Sequence, residues 1–282
     1  MKILSIVITY YPNEKDLLEN IKQYIQYVDK LILWENTPSE DNIRSVGYFD
    51  QFYDKIIRMS TGKNEGISYP LNRAVEYGLS NGYTHLLTMD QDSYWTDFNL
   101  FISQIHSMPE NVLTFCPQVS GIYELDSGSM GMKVMNECIT SGSIYNLTLC
   151  KKLGPFREDF FIDAVDLEYC YRGIIHGYST IMLSNGLLKH KLGNPIKMFN
   201  RWSITDYNDF RTFHIIRNHI WTWRIYPKIF NKKRFVIKQI ILRSLHVIFN
   251  EDNKFIKLSA IFNAFLAGLK KNINGSSING NL

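Results

Sequence analysis

Two carboxylates one residue apart, Asp90 and Asp92, follow the apolar run His85-Leu86-Leu87-Thr88-Met89. Inside a buried strand each would carry a heavy desolvation cost. Two placements avoid that cost. One is a surface turn, which Asp and Ser favour. The other is a strand end where a hard divalent cation, its remaining positions filled by water and phosphate oxygens, neutralises both groups. Alternate side chains of an extended chain point apart, so the pair can share one ion only if the strand has already turned. Spacing alone leaves both readings open.

A second acidic group lies in the segment FFIDAVDLEYCYR, residues 160–172. Asp163 suits a helix N-cap with Asp166 three residues on, and Glu168 with Arg172 suits an i,i+4 ion pair. Those readings need no chemistry. The alternative for Asp166 is a general base, a carboxylate in a first helical turn aimed into a cleft. His190 ends the segment Leu187-Leu188-Lys189. A lone histidine there is ordinarily a hydrogen-bonded structural residue. Beside Asp92 it would complete a shell for Mn2+ or Mg2+.

The elements that must carry these residues follow from hydrophobic period. Ile3–Thr9 is a nearly continuous apolar run, as a central parallel strand reads. From Asn13 to Val28, residues Leu17, Ile21, Tyr24 and Val28 fall on one helical stripe. Lys30–Trp34 and Lys55–Met59 read as strands, and His85–Met89 as a fourth ending at Asp90. A helix from Ser68 to Leu79 follows the loop Thr61–Gly66 and stops at Asn81-Gly82. Further on, a helix over 100–107, a strand over 112–115, a helix from Asp163 to His176 and extended pieces over 178–183 and 187–190 are expected. Residues 120–140 show no period, the chain beyond Asn200 reads as largely helical, and the end from Asn274 reads as a loose tail. Alternating β and α units imply a doubly wound, mostly parallel α/β sheet flanked by helices. Such sheets bind ligands at the carboxyl ends of their strands, where Thr9-Tyr10-Tyr11, Glu35-Asn36, Asn64-Glu65-Gly66 and Asp90-Gln91-Asp92 all fall.

The chain has 282 residues, 45% of them hydrophobic and 14% aromatic, enough for a substantial core and against global disorder. Cys116, Cys138, Cys150 and Cys170 form no CxxC pair, which suits free thiols in a reducing compartment. The opening apolar run is short, lacks a small-residue cleavage site and meets Pro12, unlike a signal peptide. A cytoplasmic protein is expected. The net charge of +4 hides an asymmetry: residues 1–188 carry 14 Lys and Arg against 23 Asp and Glu, and residues 189–282 carry 17 against 4. An acidic body with a basic last third suggests that this third faces something anionic.

The ordered set IVITYYPN, LILWEN, NEGISYPLNRAVEYG, LLTMDQDS, SGSIYNLTLCKKLGPFREDFFIDAVDLEYCYR, HKLGN and FHIIRN resembles the inverting family-2 glycosyltransferases of GT-A fold. Within them it is most similar to the bacterial rhamnosyltransferase-like branch. The match runs in family order over residues 2–218, and the tail KLSAIFNAFLAGLKKNING resembles the end of that branch. The resemblance implies a catalytic domain over 1–200 and a helical, basic region over 201–282.

It also implies roles. Thr9 and Tyr11 would line the base and ribose of a nucleotide sugar, and Glu35 would contact the base where relatives usually carry Asp. Asn64 and Gly66 would sit beside the nucleotide. Asp90 and Asp92 would form the DxD pair, with Asp92 a ligand of Mn2+ or Mg2+, Asp90 near ribose or metal, and His190 a third ligand. Asp166 would be the catalytic base; many relatives have Glu-Asp where this chain has Val165-Asp166. Arg217 would meet a diphosphate. The implied reaction moves a sugar, a deoxyhexose such as rhamnose or a hexose, from a nucleoside-diphosphate donor to a growing, lipid-linked saccharide acceptor at the cytoplasmic membrane face.

The segment 226–243 mixes both characters, with Ile237, Ile241, Leu245 and Ile248 at helical spacing and Lys232, Lys233, Lys238 and Arg243 supplying charge. It reads equally as a helix lying on an anionic membrane surface and as a packed helix with a solvated basic face. Trp202, Trp221 and Trp223 suit either an interface or a core. No nucleic-acid module accompanies the charge, so no nucleic acid partner is expected. Rival classes are a sugar-phosphate nucleotidyltransferase, which would carry a Gly-rich basic loop where this chain has Tyr10-Tyr11-Pro12; a DxD phosphatase, which would place its pair after the first strand; and a non-catalytic membrane-associated scaffold.

Overall fold

The computed structural model describes residues 1–41, 49–105, 109–120, 122, 131–190, 195–198, 202–205 and 207–270. Expectations for residues 123–130, for Gly193-Asn194 and for the tail from Asn274 lie outside them. The chain divides into two compact units, Met1–Phe161 with Val165–Lys191, and Ile162–Ala164 with Leu192–Leu282.

The first unit is built on a nine-stranded sheet. Its strands are β1 (Ile3–Thr9), β2 (Lys30–Glu35), β3 (Ile56–Met59), β4 (His85–Asp90), β5 (Ser93–Trp95), β6 (Val112–Val119), β7 (Met132–Met135), β8 (Ser143–Asn146) and β9 (Ser179–His190). Interleaved with them are α1 (Glu14–Lys22), α2 (Ser68–Ser80), α3 (Phe98–Ser103), α4 (Leu147–Leu153) and α5 (Val165–Ile175). The order is β3-β2-β1-β4-β8-β6-β9-β5, with β7 pairing antiparallel to the first part of β9. Strands β3, β2, β1 and β4 run parallel, and β8 enters antiparallel between β4 and β6. Ile3, Leu4, Ile6 and Val7 of β1 are all buried, because neighbours cover both faces of the central strand.

Register decides what this sheet presents at its edge. Ile8 pairs with Trp34 on one side and with Asp90 on the other, and Thr9 pairs with Glu35. The carboxyl ends of three strands therefore coincide within one residue.

Several elements differ from expectation. Helix α1 stops at Lys22, and a short 3-10 turn over Ile25–Tyr27 carries the rest of the stripe; Leu17, Ile21, Tyr24 and Val28 are all buried. The two extended pieces after Tyr178 are one strand, β9, whose register slips between Pro117/Leu183 and Gln118/Leu187. Gly186 sits in that slip at φ 93, where a Cβ would meet Phe101 Cβ at 2.6 Å. The bulge redirects the strand end, so Leu188, Lys189 and His190 pair with Trp95, Tyr94 and Ser93 of β5.

The second unit holds the hairpin β10 (Pro195–Met198) and β11 (Trp202–Thr205), then α6 (Asp209–Ile225), α7 (Lys232–Phe235), α8 (Arg243–Asn250) and α9 (Lys254–Lys270). Between α7 and α8 the chain winds as a π-helix over Val236–Leu242. Hydrogen bonds one residue longer than an α-helix's rotate the expected stripe, so Ile241 and Ile248 are exposed while Leu242 is buried. Arg243, expected on the basic surface, is buried and ion-paired with Glu251.

Candidate active site

Asp90 is the last residue of β4, and the chain turns at Gln91 before β5 starts at Ser93. That turn is what the paired carboxylates required. Asn20 donates to the Gln91 carbonyl at 2.9 Å. The Gln91 side chain bonds twice to the backbone of Tyr10, accepting from its N–H at 2.8 Å and donating to its carbonyl at 3.1 Å. The middle residue of Asp-Gln-Asp thus ties the end of β1 to the end of β4.

The bulge in β9 brings His190 to this turn. Its Nδ1 lies 3.9 Å from Asp90 Oδ2 and 3.9 Å from Asp92 Oδ1. One ligand atom from each of the three residues lies within 4.8 Å of the others, the one such group among the described residues. Asp92 is exposed, while Asp90 and His190 are half-buried. Two carboxylates and an imidazole at a water-accessible strand end fit a divalent cation that keeps open positions for other oxygens.

Two serines complete the arrangement, and sequence reading had not singled them out. Ser93 Oγ lies 2.8 Å from His190 Nδ1, Ser141 Oγ donates to Ser93 Oγ at 2.6 Å, and Asp90 N–H donates to Ser141 Oγ at 3.1 Å. Both serines are fully buried. The nitrogen that Ser93 contacts is also the one nearest both carboxylates, so this run of hydrogen bonds sets the ring beside them. A cleft of about 560 Å³ reaches Asp92 and His190 from the α1 side, lined also by Asn13, Asp16, Tyr94 and Lys189.

The remaining edge residues are placed as follows. Thr9 is buried and its hydroxyl donates to the Trp34 carbonyl at 3.1 Å. Tyr11 is exposed, takes a φ of 45, and its hydroxyl donates to Asp41. That bond pushes the phenol up to about 12. Glu35 is buried and pairs with Arg58 at 2.6 Å. Asn36, buried beside it, donates to the Gly66 carbonyl at 2.6 Å and accepts from Glu65 N–H at 3.2 Å and Trp34 Nε1 at 3.0 Å. Asn64 accepts from Gly66 N–H at 2.9 Å. Gly66 takes a φ of 72, and a Cβ there would meet the Phe161 carbonyl oxygen at 2.4 Å. The same oxygen accepts from Ile67 N–H at 2.7 Å, so the 64–67 loop lies against Phe161.

Asp166 is half-buried in the first turn of α5, and its Oδ1 accepts from Leu167 N–H at 2.8 Å. Phe161, Asp163 and Ala164, just before it, all have positive φ. Each such residue costs on the order of 1 kcal/mol or more, and such strain gathers at functional sites. Asp163 is not the expected cap: at φ 62 its carboxylate turns to Arg211, with Nε and Nη2 both at 3.1 Å. Glu168 and Arg172 form the expected pair at 2.7 Å, buried. Arg217 lies in the second unit, where it bonds Asn218 Oδ1 and His214 Nδ1 at 2.9 Å each and stacks over Trp221. Trp221 is buried and Trp223 lies under the Lys232 ammonium, so both pack within that unit.

Comparison with known proteins adds to this geometry. No family model matches the chain. It is 21% identical over 301 aligned positions to the dTDP-rhamnosyl transferase RfbF of Shigella flexneri, with 98% of each chain covered. Among solved structures it is similar to GalNAc-T7 crystallised with UDP, GalNAc and Mn2+, at TM-score 0.61 and 9% identity. That match covers 96% of this chain, which spans 56% of the GalNAc-T7 chain. Residues 1–349 of S. aureus TarS superpose at TM-score 0.57 and 14% identity, covering 96% of this chain and 81% of that one. The same TarS piece in complex with UDP-GlcNAc gives 0.54. This chain has the GT-A type of α/β fold that these structures share.

Proposed function

We propose that this protein is a metal-dependent, inverting glycosyltransferase of the family-2 type that transfers a sugar from a nucleoside diphosphate to a saccharide acceptor. The observation that carries the reading is the Asp90–Asp92–His190 group at the carboxyl end of β4. It stands where open α/β sheets bind their ligands, in a fold shared with a structure that holds UDP and Mn2+.

Asp90, Asp92 and His190 would hold Mn2+ or Mg2+. Such a cation would supply Lewis-acid stabilisation of the negative charge that develops on the leaving diphosphate. Thr9, Tyr11, Glu35, Asn64 and Gly66, gathered at the neighbouring strand ends, frame the nucleotide. Asp166 takes the proton of the acceptor hydroxyl as its oxygen attacks the anomeric carbon from the face opposite the diphosphate. The carbon–oxygen bond to the diphosphate breaks as the new glycosidic bond forms, and configuration inverts. One basic carboxylate suffices, since no covalent intermediate forms.

The donor we favour is a nucleoside-diphosphate deoxyhexose of the rhamnose class. An end-to-end similarity to a dTDP-rhamnosyl transferase supports that choice. The acceptor we favour is a lipid-linked saccharide at the cytoplasmic membrane face, which suits the basic last third of the chain.

The test is Asp166→Asn, assayed for donor binding and for turnover with the product's anomeric configuration read by NMR. The reading expects unchanged donor affinity, turnover down by about 100-fold or more, and an inverted product in the parent. Parent-like turnover in the variant, or a retained configuration, would overturn it.

A further inference from the structure

Helix α9 packs on α6 through Ile261, Ala264 and Gly268, all buried. The contact is close, because a Cβ at Gly268 would meet Ile220 Cβ at 2.8 Å. Another stripe of the same helix stays in water. Phe255, Phe262 and Leu269 recur every seven residues, nearly two turns, and Phe265 lies beside them. They are 85%, 60%, 43% and 38% exposed. An ordinary surface helix turns polar residues outward. A continuous apolar stripe of this kind marks an interaction surface.

Charge indicates what covers it. Exposed Lys254 and Lys270 stand at the two ends of the stripe, and Lys232 and Lys233 are exposed on α7. Residues 226–270 hold nine Lys and Arg and two acids, Glu251 and Asp252. Glu251 is buried and taken up by Arg243 and Lys257. Two copies of this chain joined stripe to stripe would bring like charges together. An anionic bilayer would attract the lysines while receiving the phenylalanines. Among the described residues no helix is long and apolar enough to cross a membrane, so the mode is docking and not spanning.

We propose that the exposed face of α9, centred on Phe255, Phe262 and Leu269 and flanked by Lys254 and Lys270, seats the protein on an anionic lipid surface. This goes beyond the transfer reaction and does not depend on it. It also lies on a different helix from the segment 226–243, which the sequence left open between a surface-lying helix and a packed one.

The test uses the full chain with no nucleotide or acceptor present, so its outcome is independent of the proposed chemistry. Co-sedimentation with vesicles of phosphatidylcholine plus phosphatidylglycerol should capture the parent, and vesicles of phosphatidylcholine alone should capture far less. Phe255→Ser/Phe262→Ser/Leu269→Ser should weaken capture by about tenfold or more. Lys254→Gln/Lys270→Gln should weaken it by about fivefold for each lysine. A Phe262→Cys chain carrying a polarity-sensitive dye gives a second measurement that leaves the rest of the stripe intact. The four native cysteines are buried and so shielded from labelling. Dye emission should shift to the blue with the anionic vesicles. Equal capture of parent and triple variant, absent capture of the parent, or no blue shift would each overturn the proposal. So would a parent dimer that the triple variant converts to monomer with vesicle capture unchanged.

Discussion

Ser93 and His190 face each other across the β5–β9 pair, with Ser93 Oγ 2.8 Å from His190 Nδ1. The bond fixes the ring of the one imidazole in the Asp-Asp-His group. Partners of this kind typically govern metal affinity by 10- to 100-fold. Ser93→Ala should therefore weaken Mn2+ binding by about tenfold, alongside a stability loss of about 1–3 kcal/mol from the buried hydrogen bonds to His190 and Ser141 that it removes. Electron paramagnetic titration of free Mn2+ reads the affinity directly. Unchanged affinity would remove Ser93 from the account.

Gly66 carries a different constraint. Its φ of 72 and the Phe161 oxygen 2.4 Å from a hypothetical Cβ leave no room for a side chain. Gly66→Ala should cost about 2–4 kcal/mol, combining left-handed strain with overpacking. Chemical denaturation measures that loss. Because the 64–67 loop lies against Phe161, the displacement should also weaken nucleotide binding. A stable variant with full affinity would contradict the assigned position.

Much of this geometry was legible in the sequence. β1, β2 and β4 are buried on both faces, so their continuous apolar runs announced them, and the strand ends followed. Other features depended on partners far along the chain. Ser93 and Ser141 meet 48 positions apart, and neither belongs to a recognisable local pattern. β5 is three residues long and exists because the bulge at Gly186 delivers Leu188–His190 to it. Asp163 looked like a helix cap because local spacing allowed it, yet Arg211, 48 residues later, claims its carboxylate. Arg243 looked like surface charge because Glu251 had not been placed beside it.

That last pair makes a stability prediction. Arg243 and Glu251 are buried together, with Lys257 on the other carboxylate oxygen. Arg243→Met leaves Glu251 with one cation and should cost about 3 kcal/mol. Burial alone would raise the Glu251 carboxyl, but its bonds to Arg243 and Lys257 outweigh that and hold it below its ordinary value. The stabilisation is therefore fully present above the unfolded glutamate value of about 4.3 and is lost as pH falls through the lower folded value. Melting curves below pH 5 should show a steeper acid loss for the parent than for Arg243→Met/Glu251→Gln. Parallel curves would contradict the assigned pairing.

If Asp90, Asp92 and His190 hold a divalent cation as proposed, nucleoside diphosphate binding should depend on that cation. Calorimetric titration of dTDP and UDP, with and without Mn2+, into the parent and into Asp92→Ala tests it most directly. The variant should fold normally, because Asp92 is exposed in a turn. In the parent, Mn2+ should tighten at least one of the two nucleotides by about 100-fold or more, and in Asp92→Ala that gain should vanish. Nucleotide binding indifferent to Mn2+ in the parent, or an equal Mn2+ gain in the variant, would contradict the account.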